Sequence, residues 1–135
     1  MKKIIVATHY TLAKGFKETL DYLTGSVDGV QAICAYVNGN NQELAKTIGK
    51  QLNNDDECYI LTDLNYGSVN QAFYPYMSSK VHLITGINLP LALEITLAVK
   101  SGQAVNIPEI ITKAKSQIMY VNAFASVYEE SSKDE

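Results

Sequence analysis

Lys3-Ile-Ile-Val-Ala-Thr8-His9 decides how the rest of this chain is read. Ile4 to Ala7 is an unbroken apolar run with no polar alternation, the mark of a strand buried on both faces of a sheet. Helical spacing follows at once: Leu12, Phe16, Leu20 and Leu23 recur at steps of four, four and three, one face of an amphipathic helix. Gly25 stands just past that face and suits a C-terminal cap.

The same alternation continues along the chain. Val30 to Val37 reads as a second strand, closed by a turn at Asn38-Gly39-Asn40-Asn41, and Leu44, Ile48 and Leu52 mark a second helix. Cys58 to Thr62 is the third strand, ending at Asp63. A short helix is expected from Ser68 to about Met77, kinked or ended by Pro75. Val81 to Thr85 is the fourth strand. Helices follow over about Leu91 to Lys100 and Ile107 to Tyr120, the latter with Pro108 in its first turn, where proline is tolerated. The order βαβαβαβα with short connections predicts a single α/β domain, an open, mostly parallel sheet with helices on both faces.

Composition agrees with this and narrows the functions. The chain has 135 residues, 47% hydrophobic and 19% charged, so it has material for a core. Its net charge of −3 gives no footprint for nucleic acid or an anionic membrane. The apolar run near the N-terminus is too short for a secretory signal, and nothing approaches the roughly 20 apolar residues of a membrane span. Cys34 and Cys58 lack CxxC spacing and read as core thiols in a reducing compartment, so a cytoplasmic location is expected. Glu129 to Glu135 reads as a solvated acidic tail.

In an open parallel sheet, ligands bind beyond the carboxyl ends of the strands, where the strand order reverses. Strand one delivers Thr8 and His9 there, strand three Asp63, Gly67 and Ser68, and strand four Gly86 and Asn88. A neutral imidazole is a nucleophile at cytoplasmic pH. A carboxylate accepting from one ring N–H fixes the tautomer and frees the other nitrogen. A phosphoryl group there would also lie near the start of a helix, whose unpaired N–H groups favour an anion. Blander readings stand beside these: His9 as a hydrogen-bonded structural histidine, Asp63 as a turn aspartate, Ser68 as a helix cap. His82 lies within an apolar strand and reads as a sheet-face residue, and the nine tyrosines read as packing. No G-x-x-x-x-G-K-[ST], G-x-G-x-x-G or G-x-S-x-G motif occurs, and the histidines and cysteines lack zinc-ligand spacing. No cofactor or metal is expected.

Together, Ile4-Ile-Val-Ala-Thr-His9, Ile60-Leu-Thr-Asp63-Leu-Asn-Tyr-Gly67-Ser68-Val-Asn70 and Thr85-Gly-Ile-Asn88-Leu-Pro90-Leu-Ala-Leu-Glu94 resemble the enzyme IIA component of mannose-type (mannose/fructose/sorbose) sugar phosphotransferase systems. The resemblance runs from residue 1 to about 120. It implies that His9 accepts a phosphoryl group from the phosphocarrier protein HPr and passes it to enzyme IIB, feeding sugar uptake by membrane permease components. It implies that Asp63 orients His9, and that Thr8, Gly67 and Ser68 surround the phosphoryl group. A homodimer with an exchanged C-terminal strand is also implied. Residues 1–124 are then the α/β domain, and 125–135 an extension containing that strand and the acidic tail.

The chain departs from the family pattern where Tyr10 replaces a small residue after the histidine and Tyr66-Gly67-Ser68 replaces Gly-Gly-Ser. Tyr10, Tyr66 and Asn88 are therefore expected at a partner-docking rim. Two other functions fit the same fold. One is the phosphoryl-donor subunit of a phosphoenolpyruvate-dependent dihydroxyacetone kinase. The other is a non-catalytic binding module of flavodoxin-like shape.

Overall fold

A computed structural model of the chain describes residues 1–26, 29–37, 41–52 and 56–124. Four parallel strands, β1 (Lys2–His9), β2 (Gln31–Ala35), β3 (Glu57–Thr62) and β4 (Val81–Thr85), form one sheet in the order β2-β1-β3-β4. The connections carry α1 (Leu12–Thr24), α2 (Asn41–Gln51) and α3 (Ser68–Ala72), and α4 (Leu89–Lys100) and α5 (Ile107–Lys115) follow β4. The expected α/β class and parallel sheet are what the chain adopts.

The unbroken apolar runs have the cause read from them: each strand is covered on both faces. Ile4 and Val6 of β1, with Tyr59 and Leu61 of β3, meet α1, α4 and α5 through Leu20, Ile95 and Ile110. Ile5 and Ala7, with Cys58 and Ile60, meet α2 through Leu44 and Ile48, and α3 and its C-cap through Val69 and Phe73. Leu20 is fully buried, which contributes about 2 kcal/mol toward holding α1 on the sheet. Gly25 ends α1 with φ 73°, the left-handed cap that glycine adopts without a Cβ penalty.

Three boundaries differ from expectation. The second strand stops at Ala35, because Tyr36 turns to φ 67° and leaves the sheet. The helix expected from Ser68 to Met77 is divided: α3 ends at Ala72 and Pro75 lies in a separate 3₁₀ turn, Tyr74–Tyr76. Proline has no N–H to continue the ladder and its ring would strike the carbonyl four residues back. The last helix ends at Lys115 rather than Tyr120. The Ala114 carbonyl, which would receive the Ile118 N–H in a continuing helix, is taken by the Asn88 amide at 3.0 Å and the Gln117 N–H at 3.2 Å. Residues 121–124 form one more helical turn. The turn expected at 38–41 lies, apart from Asn41, outside the described residues, as does the extension 125–135.

Cys34 and Cys58 are free thiols, the second fully buried. His82 lies on β4, stacked on the Tyr59 ring at 4.9 Å. No helix among the described residues is long and apolar enough to cross a membrane.

Candidate active site

The strand order reverses between β1 and β3. From β1 the chain crosses to β2 on one side, and from β3 to β4 on the other. The crossovers therefore part at the tips of these two strands, which leaves a crevice there. Register sets the contents: His9 pairs with Ala35 at the end of β1, while Thr62 pairs with Ala7 at the end of β3. The residue after Thr62, Asp63, is thereby set beside His9.

Asp63 grips that histidine twice. Its Oδ2 accepts from the His9 backbone N–H at 2.9 Å and lies 3.0 Å from the ring Nδ1; Oδ1 is 3.2 Å from Nδ1 and accepts from the Leu64 N–H at 3.0 Å. A carboxylate only accepts, so a neutral imidazole here carries its proton on Nδ1 and keeps the lone pair on Nε2. Among the described residues Nε2 has no hydrogen-bond partner, and the His9 side chain is 37% exposed. Burial raises the Asp63 pKa, but the His9 N–H, the imidazole hydrogen bond and the imidazolium charge together outweigh it. The carboxyl is held below its ordinary value.

The remaining walls follow from the loop after β3. Gly67 lies against the imidazole: a Cβ there would stand 3.2 Å from His9 Cε1 and 3.0 Å from the Leu64 carbonyl oxygen. That close approach is why glycine fits at 67. Gly67, not Ser68, is the N-cap residue of α3. Ser68 opens the helix, and its Oγ accepts a 2.7 Å hydrogen bond from the Tyr36 phenol. The Tyr36 ring lies 5.7 Å from the imidazole, tilted by 41°. Behind them, Thr62 Oγ1 donates to Asn70 Oδ1 at 2.7 Å, tying α3 to β3 in the buried interior.

The crevice thus brings together His9, Asp63, Gly67 and Ser68. Thr8 lies behind it. Its fully buried hydroxyl accepts the Ala13 N–H at 2.7 Å and so caps α1, whose own N-cap residue Thr11 makes no side-chain cap. Asn88 caps α4 through the Leu91 N–H at 2.9 Å and ties it to α5. Tyr10 and Tyr66 are 63% and 83% exposed, and both have positive φ, 54° and 65°. Among the described residues no three His, Cys, Asp or Glu side chains are grouped to hold a metal ion.

Comparison with known families fits this arrangement. Residues 3–115 match the model of the phosphotransferase system (PTS) fructose IIA component, of mannose type. The chain belongs to that family. As a mannose-type IIA component it takes part in phosphoryl transfer for sugar uptake. Among solved structures, the IIA chain resembles a Klebsiella pneumoniae protein described as a phosphoenolpyruvate-dependent sugar phosphotransferase system permease. The two are 30% identical over 90% of this chain and 91% of that one, with a TM-score of 0.73. The PTS IIA protein associated with the fucose utilization operon of Streptococcus pneumoniae is 25% identical over 92% and 96%, with a TM-score of 0.80. The mannose/sorbose specific IIA subunit of Enterococcus faecalis, 16% identical over 89% and 95%, shares the fold with a TM-score of 0.75. No curated protein matches the chain.

Strand-tip reasoning missed Tyr36, Thr62 and Asn70. Running the second strand to Val37 hid Tyr36 inside it. The signal was there: an aromatic residue followed closely by Asn38-Gly39 at the end of an apolar run.

Proposed function

We propose that this IIA chain carries the phosphoryl group on Nε2 of His9, taking it from phospho-HPr and giving it to enzyme IIB. The observation that carries this reading is the double grip of Asp63 on His9, which leaves the Nε2 lone pair as the nucleophile. That lone pair attacks phosphorus as the bond to the donor's nitrogen breaks, and the donor keeps the bonding electrons. His9 then bears the phosphoryl group on Nε2 and its proton on Nδ1, a cationic ring whose charge Asp63 balances. In the second half-reaction the acceptor attacks phosphorus and Nε2 recovers its electron pair. No proton need move at Nδ1 in either step.

The surface around His9 supports a protein partner. Tyr10 and Leu12, which follow His9, and Leu64 and Tyr66, which follow Asp63, are all exposed and supply an apolar rim. The sheet has two edge strands, β2 and β4, with no outer neighbour among the described residues, and such an edge is open to a strand from a second copy; sedimentation of the full chain measures the dimer this reading expects.

The carrier reading is tested by incubation with phosphoenolpyruvate, enzyme I and HPr. The expected result is a mass gain of one acid-labile phosphoryl group, absent in His9→Ala. No label on the wild-type chain, with an active carrier as control, would sink it.

A further inference from the structure

We propose that Tyr36 is a positioning residue for phosphoryl transfer: its phenol holds the Ser68 hydroxyl so that Ser68 donates to the phosphoryl group on His9. This deepens the carrier reading and rests on it. Three observations on three different elements meet here. β2 ends at Ala35, the pairing partner of His9, and the next residue turns to φ 67°, a conformation that bulky side chains seldom adopt. That turn sends the side chain back toward the tip of β1, where the ring lies 5.7 Å from the imidazole. The phenol ends 2.7 Å from Ser68 Oγ, thirty-two residues away in sequence and at the first position of α3.

The direction of that hydrogen bond decides its consequence. A serine hydroxyl has two lone pairs and one proton. The phenol is the more acidic of the two hydroxyls and so the better donor; donating, it occupies one serine lone pair and leaves the serine proton to be given elsewhere. Ser68 follows Gly67, and Gly67 is the residue that the imidazole Cε1 closes upon. Cε1 lies between the two ring nitrogens and Nδ1 is held by Asp63, so a phosphoryl group on Nε2 would be attached next to the ring edge that faces Gly67, the residue before Ser68. A hydroxyl already held by its oxygen pays less to aim its proton at a phosphoryl oxygen than one free to rotate. Ser68 is exposed, so without the phenol its hydroxyl would rotate freely and share its proton with water.

Tyr36→Phe removes only the hydroxyl and keeps the ring beside His9. Three variants are compared with wild type: Tyr36→Phe, Ser68→Ala and the double variant. Single-turnover phosphorylation from phospho-HPr, the hydrolysis rate of the phosphohistidine and its ³¹P chemical shift are measured, with melting temperature as the folding control. Tyr36→Phe is expected to slow transfer at saturating donor by about three- to tenfold, the effect of one hydrogen bond, with half-saturation unchanged. The ³¹P resonance moves with it. Because Tyr36 acts through Ser68, the double variant matches Ser68→Ala within about twofold. A Tyr36→Phe protein with wild-type rate and resonance overturns the proposal. So does a double variant slowed by the full product of the single effects, since the tyrosine would then act independently of the serine. Should Tyr36→Phe melt early, adding it to Ser68→Ala and comparing ³¹P shifts at lower temperature still separates the outcomes. Absence of phosphorylation in wild type is a different failure, that of His9 as the carrier.

Discussion

Replacing Asp63 by asparagine keeps the side chain's size and removes its charge, and the geometry dictates the cost. Asp63 serves three donors: the His9 N–H and the ring Nδ1 on Oδ2, and the Leu64 N–H on Oδ1. Asparagine offers one acceptor and one donor in those places. With its oxygen toward His9, the amide NH₂ confronts the Leu64 N–H. Turned the other way, the NH₂ confronts the His9 backbone N–H, and the ring must shift its proton to Nε2 to present Nδ1 as acceptor. The nucleophilic lone pair is then gone. Exchanging a charge-assisted hydrogen bond for a neutral one costs about 1 kcal/mol, and leaving an N–H facing another donor about 1–3 more. A loss of about 2–4 kcal/mol corresponds to phosphorylation roughly 30- to 900-fold slower. Rapid-quench transfer from phospho-HPr gives the rate, and ¹⁵N NMR of the imidazole gives the tautomer. A rate within threefold of wild type, with the proton still on Nδ1, would refute the reasoning. The stability effect carries its own sign. The Asp63 pKa is below its ordinary value of 3.8 in the folded chain, so its contribution is present above that value and fades as pH falls through the folded one. The melting curves of wild type and Asp63→Asn therefore converge below about pH 4.

Gly67→Ala adds a methyl 3.2 Å from His9 Cε1 and 3.0 Å from the Leu64 carbonyl oxygen, at a φ of −75° that alanine accepts. It should displace the imidazole, cost about 1–3 kcal/mol in chemical denaturation, and slow phosphorylation. Wild-type kinetics would mean the ring has room that the geometry denies. Tyr10→Gly and Tyr66→Gly remove left-handed strain of about 1–2 kcal/mol each, partly offset by glycine's entropy, from side chains that are mostly exposed. Each should raise the melting temperature by a few degrees, whereas alanine at the same positions should not; equal melting of the glycine and alanine variants speaks against strain. Asn88→Ala loses the cap on α4 and the link to α5, about 2 kcal/mol in urea unfolding, and transfer from phospho-HPr is expected to persist. A variant of unchanged stability but weakened half-saturation by HPr would instead put Asn88 on the docking rim.

The sheet was legible because burial on both faces writes itself as runs such as Ile4 to Ala7, with no alternation to confuse with a solvated strand. His9 and Asp63 were legible as strand tips, since polar residues directly after such runs have nowhere to go but the crevice. Asn88 and Thr8 show the limit of that inference. A polar residue at a tip also answers the needs of the helix that follows, and both side chains are committed to helix starts. The ends of β2 and α5 were not legible for a related reason. Val37 and Ile118 extend the apolar patterns, but the chain turns away where a backbone dihedral or a borrowed carbonyl, neither encoded in periodicity, stops the element.

The three tyrosines with positive φ bear on how this site is maintained. Tyr10, Tyr36 and Tyr66 follow the ends of β1, β2 and β3, the strands that converge on His9, and they are the only residues other than glycine with positive φ among the described residues. At about 1–2 kcal/mol each, together they cost a sizeable part of a stability that is ordinarily about 5–15 kcal/mol. Glycine would remove the cost without altering the path of the chain. Tyr36 recovers part of it through its hydrogen bond to Ser68. The phenols of Tyr10 and Tyr66 have no hydrogen-bond partner among the described residues, so no such bond there offsets their strain. Strain without that offset, concentrated around the proposed nucleophile, is what a surface kept for a partner's contact would carry. The glycine variants therefore separate two properties at once: they should gain stability while losing affinity for phospho-HPr. A variant that gains stability with affinity unchanged leaves the two exposed tyrosines without a role in docking.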